Sequence, residues 1–177
     1  MKDKQNGFIL AELLVSLLLA SMVLGAAMPL FSTLMRQYTY ITVSEELREQ
    51  ARYTAETLTF NLQYARYIEI SSDSNRINFV TEDGQHSGYM LMSGTIYRLL
   101  QQGSSQPITG NGNNENNIAN TILAKKMDND KVPFILSEGN GCYRIRFTLI
   151  HTKTGKTFDT DIRIIPVTAT WEGRKFI

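Results

Sequence analysis

An α+β fold, with one long N-terminal helix packed on an antiparallel β-sheet, is predicted by three features of the sequence. No charged residue appears from Leu13 through Met35. From there to Ala65, apolar residues recur at three- and four-residue steps, the period of a helix with one buried face. Beyond Tyr67 the period shortens to two, in segments separated by Gly, Asn, Asp and Ser.

The charge-free run comes first. At about 1.5 Å per helical residue it reaches roughly 35 Å, against a hydrocarbon core of about 30 Å. One carboxylate, Glu12, stands just inside its N-terminal end. A charge in a membrane segment costs about 2.5–3.5 kcal/mol at mid-bilayer and less near an interface, so such a residue points to a function. Glu12 follows Phe8 by four residues, which places the two on one helical face. Ahead of Gly7 lies a short polar leader containing Lys2 and Lys4. A cut between Gly7 and Phe8 would bring a new amino group near the Glu12 carboxylate, in the same chain or in a neighbour.

A basic leader, the Gly7-Phe8 junction, Glu12 four residues on and a long apolar helix together resemble the class III signal of type IV pilins and pseudopilins. Gly7, Phe8, Leu10, Glu12 and Leu13 carry the motif. The resemblance implies a leader over 1–7, a transmembrane and assembly helix over 8–35, and an extracytoplasmic pilin-like globular domain over 36–177. It also implies cleavage after Gly7 and N-methylation of Phe8 by a membrane-embedded aspartyl peptidase, whose catalytic carboxylates belong to that enzyme. Glycine suits such a site because the absent side chain leaves the scissile backbone open to attack. The implied partners are the prepilin peptidase, other pilin or pseudopilin subunits, and an assembly platform in the inner (cytoplasmic) membrane. An ordinary secretory signal cut after Ala27, or a plain signal anchor, leaves Glu12 without a role.

Within the apolar helix, Gly25 and Pro29 form a soft spot. Proline at 29 withholds the amide that would bond to the Gly25 carbonyl and crowds that carbonyl with its ring. In pilin-like proteins a proline at the matching place marks where the helix loosens as subunits pack. Beyond Arg36, Ile41, Ser44, Leu47, Ala51, Thr54, Leu58, Leu62 and Ala65 form the apolar stripe, with Glu45, Arg48, Glu49, Arg52 and Glu56 on a solvated face. One helix is therefore predicted from about Phe8 to about Tyr67. Tyr38 and Tyr40 fall at the changeover, a common place for tyrosine at a membrane surface.

The predicted strands follow in order. Tyr67–Ile70, Arg76–Thr81, Tyr89–Met92 and Thr95–Leu100 make a meander, with hairpin chemistry at Glu82–Gln85 and at Ser93-Gly94. The stretch from Gln101 to Asn117 is rich in Gly, Ser and Asn and reads as an exposed loop. Glu115, its one carboxylate, is too little charge for a calcium site. Ile118 to Met127 reads as a short helix capped by Asn117. Val132–Leu136 reads as an edge strand because of Pro133. The final hairpin runs from Cys142 through the turn Lys153–Lys156 to Ile165, and a tail carries Trp171.

Composition narrows the function. The net charge is +1, and removal of the leader would leave acidic and basic side chains balanced, so there is no general nucleic-acid footprint. Arg144, Arg146, Arg163, Arg174 and Lys175 are the only candidates for a local DNA-binding cluster. Cys142 is the only cysteine, which excludes an internal disulfide and reads as a small buried residue at a strand start. Neither His86 nor His151 has a partner at metal-ligand spacing, and no phosphate loop or nucleophile–base pair appears. The sequence therefore predicts no enzyme, no cofactor and no metal. The order of helix, meander, polar loop and hairpin is similar to that of larger minor pseudopilins of type II secretion and minor pilins of type IV pili and competence systems. A membrane-anchored binding domain that never polymerises is the alternative.

Overall fold

Helix α1 (Asp3–Gln63) supplies the spine. The computed structural model describes residues 3–101, 103–109, 122–128 and 131–167, with side chains from Leu10 onward. The helix begins within the polar leader, earlier than its apolar pattern, and ends before Tyr67. Its end has a backbone cause. The Ala65 amide bonds to the Leu62 carbonyl at 3.3 Å, and the Arg66 amide turns away to the Val80 carbonyl at 2.8 Å. The chain divides into two compact units, Met1–Thr42 and Val43–Ile177. The first is helical throughout its described length.

Among the described residues of the second unit, nine strands follow α1 and form two antiparallel sheets. The first is a five-stranded meander of β1 (Tyr67–Ile70), β2 (Arg76–Val80), β3 (His86–Met92), β4 (Thr95–Leu99) and β5 (Ser105–Thr109). The second holds β6 (Ile122–Lys125), β7 (Ile135–Gly139), β8 (Cys142–His151) and β9 (Thr157–Ile164). Strand β9 pairs along one edge of β8, while β7 and β6 share the other, against Cys142–Ile145 and Thr148–His151 respectively. The two sheets meet through backbone bonds. Ala124 donates to the Gly94 carbonyl at 2.8 Å, and Ile135 donates to the Ser74 carbonyl at 3.1 Å.

Several expectations are corrected here. Of the residues read as a helix over Ile118–Met127, Ile122–Lys125 form β6, because register with Thr148–His151 completes the edge of β8. Within the stretch read as a polar loop, Ser105–Thr109 form β5 on the edge of the meander. The strand read over Val132–Leu136 starts at Ile135, beyond Pro133, and is an edge strand as expected. Strand β3 starts at His86, three residues before the strand expected from Tyr89. Cys142 opens β8 but is only half-buried, its Sγ lying 3.8 Å from a Glu138 carboxylate oxygen. Asn117, Glu115, Trp171, Arg174 and Lys175 lie outside the described residues.

Turn geometry sets the hairpins. Ser93 and Gly94 both take positive φ, 50° and 78°, between Met92 and Thr95, the mirror-image turn that matches strand twist. Asn140 and Gly141 repeat this between β7 and β8, with φ of 49° and 72°.

The core forms where α1 meets both sheets. Val43, Leu47, Ala51, Leu58 and Leu62 are buried against Ile77, Phe79, Tyr89 and Ile96 of the first sheet and Phe134, Ile145, Phe147 and Leu149 of the second. Six of the eight stripe residues are buried as the period requires, including Thr54, whose hydroxyl bonds back to the Gln50 carbonyl at 2.8 Å. Ile41 is instead exposed, Ser44 is half-buried, and Val43 takes the first core position.

Candidate membrane and assembly segment

Residues 10–35 of α1 are exposed without exception. Leu13, Leu17, Val23 and Leu34 each leave more than half of their surface uncovered, and so do the other large apolar side chains of the run. A contiguous apolar surface of this kind marks contact with lipid or with another chain. The helix is long and apolar enough to cross a membrane, which fits a single-pass anchor.

Three hydroxyls of the run bond back onto the helix itself. Ser16 donates to the Glu12 carbonyl at 2.8 Å, Ser21 to Leu18 at 2.7 Å, and Thr33 to Pro29 at 2.9 Å. Thr39 and Thr42 do the same one turn back, at 3.0 Å each. In hydrocarbon an unsatisfied polar group costs several kcal/mol, so hydroxyls folded onto the helix suit a helix that leaves water.

Each residue singled out for processing or assembly lies on α1. Gly7 and Phe8 are in its first turns, where side chains lie outside the described residues. Glu12, one turn beyond Phe8, is exposed and makes no ion pair among the described residues. Helix assignment continues through Gly25 and Pro29, and a Cβ added at Gly25 would meet nothing within 4 Å. Gly25 is thus not required by packing within the chain. Tyr38 and Tyr40 remain exposed next to Arg36, the first charge after the run.

The arginines considered for nucleic acid stand among carboxylates. On the exposed face of β8 and β9, Arg144 Nε donates to Asp161 at 2.8 Å and its Nη1 to Glu138 at 3.1 Å. Arg163 Nε reaches the same Glu138 at 3.3 Å. These hydrogen bonds hold the Arg144 guanidinium charged above its usual range and, chiefly through Arg144, keep Asp161 below the ordinary carboxylate range. Thr148 donates to Asp159 at 2.6 Å. Arg144 and Arg163 are therefore charge-compensated within the fold. Glu138, which bridges them, is announced by no local pattern in the sequence; only the β7–β8 hairpin brings it there.

His151 is buried at the end of β8, its Nδ1 facing the Thr154 hydroxyl at 2.9 Å. Among the described residues no cluster of His, Cys, Asp or Glu could hold a metal ion. Arg98 lies on β4 of the first sheet. It lies two residues after the buried Ile96 and in register with the buried Tyr89, so it shares their helix-facing side.

Fold and segment together define the class: an α+β protein with one N-terminal helix long and apolar enough to cross a membrane. No protein-family model, curated protein or solved structure matches the chain.

Proposed function

We propose that this chain is a minor pilin-like or pseudopilin subunit of a type II secretion, type IV pilus or competence filament. Its leader is removed between Gly7 and Phe8, and Phe8 becomes the methylated N-terminus. The protein is then held in the cytoplasmic membrane by α1, with the globular unit on the extracytoplasmic side. Assembly withdraws the helix from lipid and packs it among helices of other subunits, delivered by the membrane platform. The role is structural and uses no cofactor.

One observation carries the reading. The exposed, charge-free stretch of α1 begins directly after Glu12, a carboxylate with no ion pair among the described residues that is one turn from the proposed new amino group. In low dielectric the attraction between Glu12 and a neighbouring subunit's amine is strong, although desolvation offsets much of it. That attraction would fix the axial register between subunits.

The test compares cleaved protein in membranes with protein in sheared filaments, for wild type and Glu12→Ala. Cleavage and membrane insertion should persist, since the substitution removes a charge from an apolar helix. Incorporation should fall roughly tenfold, the equivalent of about 1.4 kcal/mol. Equal incorporation would remove Glu12 as a register device. Wild-type protein that is never found in filaments would leave a membrane-anchored binding domain.

A further inference from the structure

A cleft of about 500 Å³ opens in the second unit, between the last turns of α1 and the β2–β3 turn. Phe60, Asn61 and Tyr64 form one wall, Glu82 and Asp83 the other, and Arg98 lines it from the sheet. We propose that this cleft binds a segment of another protein chain. That segment would present a carboxylate to Arg98, an apolar side chain to Phe60 and Tyr64, and a basic side chain to Glu82 and Asp83.

Arg98 is the starting point. A charged residue in phase with Ile96 and Tyr89 occupies a position where the sheet otherwise buries apolar groups. Its Nε is buried, and among the described residues its guanidinium has neither a hydrogen bond nor an ion pair. A buried donor without an acceptor is unfavourable, and an arriving carboxylate would supply the missing partner as a charge-assisted bond. Tyr89, opposite Arg98 in the sheet, accepts from the Asn61 amide at 2.7 Å and makes no hydrogen bond with Arg98 among the described residues.

The walls define the rest of the ligand. Phe60 and Tyr64 pack edge to face at 5.5 Å and both remain well exposed, so the chain spends two aromatic rings on a surface that its own core does not use. Exposed aromatics beside an arginine are the usual anchors of protein interfaces. Glu82 and Asp83 are exposed and form no salt bridge with Arg98. They would repel phosphate, nucleic acid or an acidic membrane surface, while Arg98 would repel a simple cation. A peptide segment carries carboxylate, apolar and basic groups within a few residues and satisfies all three walls. The proposal rests on the second unit alone and does not depend on how α1 is used.

The test uses the full-length ¹⁵N-labelled chain in detergent micelles. The Arg98 Nε–Hε resonance is assigned by its loss in Arg98→Lys. The probes are the blocked tripeptides Lys-Leu-Asp and Asp-Leu-Lys, with their Asn counterparts and inorganic phosphate. At least one Asp peptide should shift the Arg98 resonance saturably, and its Asn counterpart should bind at least about fivefold more weakly. Glu82→Gln combined with Asp83→Asn, both on an exposed turn, should weaken the same peptide several-fold without disturbing the fold. Three results would overturn the proposal: no saturable shift from either Asp peptide, equal binding of the Asn counterparts, or no effect of the turn substitutions. An equal response to phosphate would reduce the cleft to an anion site. A shift that follows protein concentration without peptide would assign it to a second copy of this chain.

Discussion

The Asn61 side-chain amide donates to the Tyr89 hydroxyl at 2.7 Å, joining α1 to the middle strand of the meander. The same nitrogen donates to the Thr57 carbonyl at 2.8 Å, so the helix orients the amide before the sheet receives it. Burial pushes the Tyr89 phenol up to about 12, from an ordinary value of 10.0, and the nearby Arg98 and Asn61 offset only part of that rise. The folded protein thus resists ionising this group. The resulting stability is complete below pH 10 and is lost as pH rises from there through about 12, a total fall of about 2–3 kcal/mol. Denaturant titrations from pH 8 to 12 should show this fall. Tyr89→Phe should lose about 1 kcal/mol near neutrality and show a shallower alkaline decline.

Glu138 governs a second relationship. Arg144 and Arg163 stand directly opposite each other across β8 and β9, an unfavourable like-charge pair that Glu138 bridges. Glu138→Gln should cost about 1 kcal/mol in urea unfolding, within the range for a partly exposed ionic network. Adding Arg163→Gln to that variant should recover part of the loss; a strictly additive double variant would contradict the bridging role. Asp161, held low chiefly by the Arg144 hydrogen bonds, contributes stability above the ordinary carboxylate range. That contribution disappears as pH falls through its depressed folded-state value.

Pro29→Ala restores an amide donor for the Gly25 carbonyl and stiffens α1 by removing the ring clash. If loosening at Gly25 and Pro29 accompanies subunit packing, membrane levels of the cleaved Pro29→Ala protein should stay normal while its filament content drops several-fold. Gly25→Ala, which creates no contact within the chain, should act in the same direction. Normal filament content for both variants would remove the soft spot from the account.

Much of the architecture is legible in the sequence because its signals are local. The helix period, the turn residues Ser93-Gly94 and the alternation of β8 each specify their element from a few adjacent residues. The errors lie where distant partners decide. Ile122–Lys125 has apolar content that suits a helix, and only the free edge of β8 makes it a strand. Ser105–Thr109 is polar and contains Pro107, yet pairing with β4 captures it at an edge. Ile41 and Val43 trade places because the pattern of a helix is specified only to within about one or two residues at its end. Glu138 carries no local sign of its role. Arg98 did carry one: an arginine in step with Ile96, on the face that packs against α1.

The central claim is tested most directly by the N-terminus of the mature protein, read by intact-mass and terminal-fragment mass spectrometry of membrane and sheared-filament fractions. The account predicts a chain that starts at Phe8 and carries N-methylphenylalanine. A chain that retains Met1, or one that starts at Met28 after a cut behind Ala27, would contradict it.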